Sequence, residues 1–471
     1  MDGRRVLIRN AEIAGEILDL RLANGRVAEI GRALEPHEGR VWEAHGGALL
    51  PGLHDHHIHL RSLAASLSSV RCGPPAVEDV ASLARALGQA SPRDGWIRGA
   101  GYFESVAGDL DRAQLDAIRD DVPIRIQHRS GVMWFLNSPA CEALGLDAAR
   151  APATERDDRG RSKGRLFRGD EWLRERVPGR GAPDLAVVGR CLARRGVTRV
   201  TDCTPTNTDE EFAAFAAARA SGALPQEIEV MGQLGLRGVQ SGAGVGAHKI
   251  MLDEPALPDL DALTTRIREA HDETRAVAFH VVTRAELHFA LAALEGAGPR
   301  EGDRLEHASV APDEALDTIR GMGLRVVTQP NFVHERGDAY LEDVEPRDQP
   351  VLYRVKSWLD AGVCLRFGTD APFGEPDPWA ALEAAVERRT RRGAVLGDDE
   401  RIDPETALAR FLPDADTAAR GAPRVREGDV ADLCLLDRSW ADARRALSAV
   451  DVQATWVEGT SVQLADDTSS V

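Results

Sequence analysis

The stretch AVAFHVVTRAELHFALAALEGAGPREGDRLEHAS, residues 276–309, holds a short apolar run, a helical stretch over 283–296, a Gly/Pro turn and a second run, RLEH. A run of this length, a helix and another run form the repeating unit of a parallel sheet. The pattern recurs on both sides. Further runs are PIRIQH (123–128), VTRVTD (197–202), EIEVMG (227–232), AHKIML (247–252), LRVVTQP (324–330) and VCLRFGTD (363–370). Helical stretches are predicted over 184–195, 208–220, 259–272, 312–321 and 377–392. So many repeats predict an α/β chain built on a (β/α)8 barrel. With the run that ends in ALLPGL there are more candidates than eight, so one or two strands are accessory.

The two chain ends read differently. VLIRNAEI, ANGR and VAEIG near the start, and DVADLCLLD and VDVQATWVEGTSVQL near the finish, are short strands and turns. Residues 1–50 and 422–471 are therefore predicted to form one small β-rich domain that the barrel, 51–421, interrupts. A polar segment within 150–182 breaks the alternation, and an insertion over 129–182 is expected to act as a lid on the barrel mouth.

Composition narrows the functional classes. The net charge of −18 over 471 residues opposes nucleic acid as a partner, since phosphate binding needs a basic face. No apolar run is long enough for a membrane span, and MDGRRVLIRNAEIAGEI lacks a signal-peptide core. Six cysteines with no CxxC pair read as buried small hydrophobes in a reducing compartment, so a cytoplasmic location is expected. A homo-dimer is the default expectation for assembly. Among 58 lysines and arginines the lysines are only Lys163, Lys249 and Lys356. A lysine kept in such a chain is a candidate for chemistry that arginine cannot perform.

In a barrel, reactive side chains project from the C-terminal ends of strands. HDHHIH, residues 54–59, offers two overlapping His-x-His pairs, His54/His56 and His57/His59. Strand alternation puts both members of either pair on one face, so the local sequence does not choose between them. His280 ends AVAFH, His307 ends RLEH, Asp370 ends CLRFGTD, and Lys249 lies inside an apolar strand. Singly, each has an ordinary explanation: a hydrogen-bonded core histidine, an N-capping aspartate, a lysine paired with Asp253. Together, imidazoles and a carboxylate are the donor set of a divalent transition metal. A neutral lysine amine also reacts with CO2 to give an anionic carbamate, which arginine cannot.

Candidate substrate-binding residues are weaker. His128, Trp134, Phe332, His334 and Tyr340 lie in or beside loops after strands, where aromatic side chains line apolar pockets. Arg129 and Arg336 are of the type that reads a substrate carboxylate. ERRTRRG (387–393) reads as a solvated helix end. SGAGVG (241–246) precedes a strand and lacks Gly-Lys-Ser/Thr, so it is not a phosphate loop.

This set resembles the amidohydrolase superfamily, and within it the N-acyl and N-formyl amide hydrolases called amidohydrolase family 3. PGLHDHHIHL is similar to that branch's Pro-Gly-x-x-Asp-x-His-x-His-Leu and aligns His57 and His59, not His54 and His56, as ligands. IQHRSGVMWFLNS, DDRGRSKGRLF, RLEHASV, VVTQPNF and FGTDAPF are similar to its other blocks. REGDVADLCLLD and VEGTSV resemble a β-sandwich built from both chain ends. One departure is Arg129-Ser130-Gly131-Val132, where the branch often has Asp-Gly-His. The resemblance implies a metal-dependent hydrolase of a C–N bond in a small-molecule amide, with one or two divalent ions, zinc foremost. One ion would take His57, His59 and Asp370, the other His280 and His307, with a CO2-derived carbamate on Lys249 between them. Asp370 would act as general base and then acid. The alternatives are a cyclic-amide hydrolase and a deaminase. The His-x-x-Glu element of deaminases is missing after both His280 and His307. A non-catalytic scaffold is disfavoured because all six ligand positions are filled.

Overall fold

The computed structural model describes residues 5–36, 39–148, 154–177, 183–238, 242–413 and 424–464. The chain divides into two compact units, Met1–Leu60 with Leu185–Val471, and Arg61–Asp184.

The first unit contains an eight-stranded parallel sheet: β1 (Leu53–Ile58), β2 (Val197–Asp202), β3 (Glu227–Gly232), β4 (Gly244–Met251), β5 (Val277–Val281), β6 (Arg304–His307), β7 (Arg325–Thr328) and β8 (Cys364–Phe367). Spatial order follows chain order, as right-handed βαβ crossovers require of a (β/α)8 barrel. Strands β1 and β6 are buried along their whole length, the pattern of parallel strands covered on both faces. The barrel closes between β8 and β1. The Asp370 amide donates to the His57 carbonyl at 2.8 Å, and the His59 amide to the Ala371 carbonyl at 2.9 Å. Gly368 sits at this seam, where a Cβ would lie 2.5 Å from the His57 backbone nitrogen, so only glycine allows the closure.

Capping residues fix where the helices after the strands begin. Thr283 and Glu286 form a capping box on Arg284–Ala297, and Thr208 and Glu211 form one on Asp209–Ala220. Asp377 caps Pro378–Glu387, whose first residue is proline.

Two four-stranded sheets come from the chain ends. One joins Val6–Ile13, Glu16–Ala23, Arg26–Gly31 and Arg40–Glu43; the other joins Leu49–Pro51, Leu433–Leu436, Val452–Val457 and Thr460–Leu464. They share one apolar core that includes Ile8, Leu20, Leu22, Leu433, Leu435 and Trp456. The proposed boundary at residue 422 lies outside the described residues.

The second unit holds a six-stranded mixed sheet with Ile97–Tyr102, Ile124–His128, Met133–Leu136 and Ser162–Phe167 in it. PIRIQH is therefore the accessory strand among the barrel candidates. It pairs in parallel with Ile97–Tyr102, which gives it the same buried apolar look as a barrel strand. The segment separating from the barrel unit starts at Arg61, well before the expected 129. ERRTRRG is also corrected. The helix ends at Glu387, and Arg388 is fully buried, donating to the carbonyls of Leu396, Tyr353 and Leu352.

Candidate metal centre

Side chains from β1, β4, β5, β6 and β8 meet at the C-terminal end of the barrel. His57 Nε2 lies 3.4 Å and His59 Nε2 3.2 Å from Asp370 Oδ1. That oxygen is buried and has no hydrogen-bond partner among the described residues. One ligand atom from each of these three residues lies within 4.8 Å of the others, a spacing that fits a cation between them. The His307 ring is 4.8 Å from that of His57, and the His280 ring 4.6 Å from that of His307. Lys249 is buried, and its Nζ has no hydrogen-bond partner among the described residues, so it does not bond Asp253.

Each ring is turned by its other nitrogen. His57 Nδ1 donates to Glu306 Oε2 at 2.5 Å, His307 Nδ1 donates to Gln329 Oε1 at 2.7 Å, and His59 Nδ1 bonds Thr204 Oγ1 at 3.0 Å. With Nδ1 donating, Nε2 of His57 and of His307 carries the free lone pair, the arrangement of a metal-ligating histidine. Glu306 is in turn held by Arg304, whose Nε donates to Oε1 at 2.5 Å and Nη2 to Oε2 at 3.2 Å. Cys203 also lies in ligand range of His57 and Glu306. Glu306 is nevertheless already committed to Arg304 and His57, which makes it an orienting group.

The backbone is held as firmly. Asp55 accepts from the His57 amide at 3.1 Å, the Thr369 amide at 3.0 Å and the Thr369 hydroxyl at 2.5 Å, tying β1 to the turn that carries Asp370. Asp202 accepts from the Leu60 and Thr204 amides at 2.7 and 3.0 Å, fixing the loop whose hydroxyl holds His59. His307 and Asp370 have φ of 68° and 57°, left-handed conformations that a surrounding lattice of bonds must impose on non-glycine residues.

Protonation states suit cation binding. Burial lowers the pKa of His57 and His307, and takes His280 to about 3, so all three rings are neutral at pH 7. Burial opposes ionisation of Asp370, but His59, His57 and His307 outweigh it and hold the carboxyl well below its usual range. Burial also lowers the pKa of Lys249, with Glu306 and Cys203 opposing, which favours the neutral amine.

The remaining sequence candidates have partners of their own. His128, Arg129 and Trp134 belong to the Arg61–Asp184 unit. There His128 bonds Ser130 and Glu104, Arg129 stacks on Phe103, and Trp134 donates from Nε1 to Asp170 at 3.1 Å. His334 is exposed and bonds the Arg389 carbonyl, while Phe332 is buried in an aromatic cluster with Tyr353. Sequence reading missed Glu306, Asp55, Thr204 and Gln329. A signal existed for the first: Arg304 and Glu306 are two charges in a four-residue buried strand, which burial forbids unless they are paired.

The amidohydrolase family pattern matches residues 40–463. An N-substituted formamide deformylase of Arthrobacter pascens is 26% identical over 93% of each chain. The putative amidohydrolase YtcJ of Bacillus subtilis is 21% identical over 73% of this chain and 74% of its own. Among solved structures, an uncharacterized metal-dependent hydrolase from Pyrococcus furiosus superposes with a TM-score of 0.69 at 20% identity, covering 92% of this chain and 99% of that one. No helix among the described residues is long and apolar enough to cross a membrane. The chain belongs to the amidohydrolase family and is a metal-dependent hydrolase of carbon–nitrogen bonds other than peptide bonds.

Proposed function

We propose that the chain hydrolyses the N-formyl or N-acyl amide bond of a small molecule, with His57, His59 and Asp370 holding one divalent ion. His280 and His307 would hold a second, and a carbamate formed on Lys249 would supply a further anionic ligand. The observation that carries this reading is the convergence of two Nε2 atoms on an unbonded Asp370 oxygen, beside a buried amine with no partner. The formamide deformylase relative supports the formyl alternative. Imidazole with carboxylate favours zinc. A bound ion supplies Lewis acidity, polarising the amide carbonyl and lowering the pKa of a water from about 15.7 towards about 7.

The chain's own groups do the rest. Asp370, ionised at neutral pH, takes the proton of the attacking water and delivers it to the departing nitrogen, worth roughly 10²–10⁴-fold. Neutral His280 and His307 leave their lone pairs for a cation. The Lys249 amine adds CO2 and releases a proton, leaving an anion where the structure otherwise buries an amine without a partner among the described residues. Six free cysteines accord with a cytoplasmic enzyme, and we propose a homo-dimer.

The test is metal analysis after dialysis together with a substrate screen of N-formyl, N-acetyl and N-aryl-acyl amides, lactams and aminopurines. Bound metal with hydrolysis of open-chain amides is expected, and Lys249→Ala should lose both. Lys249→Arg should fail to restore them; full activity there would refute the carbamate. Ammonia release from aminopurines alone would overturn the amide reading.

A further inference from the structure

Arg336 lies on the helix Asn331–Asp343 that follows β7. Its guanidinium carbon stands 3.9 Å over the ring of Phe332, and Nη2 donates to the Phe373 carbonyl at 2.5 Å. The Phe373 ring packs edge-on against His59 at 5.3 Å. Arg336 is therefore one residue removed from a candidate ligand, and it feels the charge of Asp370. Aromatic groups surround it, with Tyr340 and Tyr353 stacked at 5.8 Å.

That single hydrogen bond is its whole polar complement among the described residues. Several other arginines of the barrel unit have a fuller polar complement. Arg304 grips Glu306, Arg354 bonds Asp313 at 2.6 Å, and Arg284 bonds Asp348 at 2.6 Å. Arg388 has three carbonyls. The acid next to Arg336, Glu335, supports its charge through space, but among the described residues it makes no hydrogen bond to it: Glu335 Oε1 accepts from Asn331 Nδ2 at 3.1 Å and from the Glu375 amide at 3.2 Å. A half-buried cation stacked on a phenyl ring, with most of its N–H groups unused, is costly unless an anion meets it. The stack fixes the plane of the fork, which suits bidentate contact with a planar acid group. One cation beside an acidic neighbour matches a single negative charge.

We propose that Arg336 binds a carboxylate of the substrate, so that the amides hydrolysed are N-formyl or N-acyl derivatives of amino acids. This rests on the amide-hydrolase reading above and specifies its substrate class.

A matched pair of formamides tests it: N-formylphenylalanine, in both enantiomers, and N-formylphenethylamine, which differs only by lacking the carboxylate. With metal-loaded enzyme, one enantiomer of the acid should have a kcat/KM about 10- to 100-fold above the amine derivative, the range of one charge-assisted bond. Arg336→Met should erase that ratio through the KM of the acid, and Arg336→Lys should restore part of it. Equal use of both compounds by the wild type, or equal losses on both in Arg336→Met, would overturn the proposal while leaving the amide reading intact. Hydrolysis of neither compound, nor of any open-chain amide, would instead bring down the amide reading and this inference with it. Calorimetric binding of 3-phenylpropanoate against 3-phenylpropanol gives an answer without turnover. Tighter binding of the acid, lost in Arg336→Met, supports the proposal; equal affinity contradicts it.

Discussion

Two histidine pairs share β1 and its immediate end, and they have opposite fates. His54 and His56 stack on one another at 3.7 Å, with His54 Nε2 on the Thr201 hydroxyl and His56 Nε2 donating to the Leu412 carbonyl. Their Nε2 atoms are spent on the protein. His57 and His59 spend Nδ1 on Glu306 and Thr204 and turn Nε2 towards Asp370. Residue type and spacing are alike in the two pairs. What separates them is which ring nitrogen the surrounding chain occupies, and that is decided by residues far away in sequence.

The comparison can be broken most decisively by exchanging the pairs' roles. His57→Ala should lose bound metal and fall to background activity, whereas His54→Ala should keep metal and lose about 1–3 kcal/mol of stability through the orphaned Thr201 hydroxyl. Metal content and denaturant melts read both, and loss of metal in His54→Ala would reverse the assignment. The next effect is at the orienting group. Glu306→Gln should lower activity roughly 10- to 100-fold by loosening His57. It should also destabilise the fold by about 3–5 kcal/mol, because Arg304 becomes an unpaired buried charge. Unchanged activity would mean that Glu306 does not set the ring. Thr204→Val should be milder, about 10-fold in activity, since a neutral hydroxyl at 3.0 Å holds a less buried ring.

The smallest effect concerns pH. Burial, reinforced by Arg199, Arg304, Arg366 and Arg325, holds the His54 pKa well below 6.5. The unfolded chain therefore binds a proton at His54 before the folded chain does, and stability falls as pH drops below about 6.5. His54→Asn removes that titration, so its Tm should decline less than the wild type's between pH 7 and pH 5. Parallel declines would show that His54 titrates normally.

Much of the barrel was legible because its repeat is long and its runs are short and apolar. Seven strands after β1 fall where the alternation puts them, as do the helices between them except those between β7 and β8, such as Asn331–Asp343, which the alternation does not predict. The Arg61–Asp184 unit was harder to see, since Ile97–Tyr102 and Ile124–His128 pair in parallel and carry the same signature as barrel strands. His57, His59, Lys249, His280, His307 and Asp370 could be found as strand-end residues of metal-binding type. Of the groups that orient them, only Glu306 leaves a signal, as one of two charges in a short buried strand; Thr204 and Gln329 are ordinary loop residues until folding sets them against a ring nitrogen. Arg388 looks solvated within a basic run, yet a left-handed turn at φ 52° swings it into the core.

The most direct test of the central claim is anomalous diffraction from a metal-loaded crystal at the metal's absorption edge. The account predicts a peak within bonding distance, about 2.0–2.2 Å, of His57 Nε2, His59 Nε2 and an Asp370 oxygen. A peak at His54 and His56, or density at Asp370 that no imidazole of β1 approaches, would contradict it.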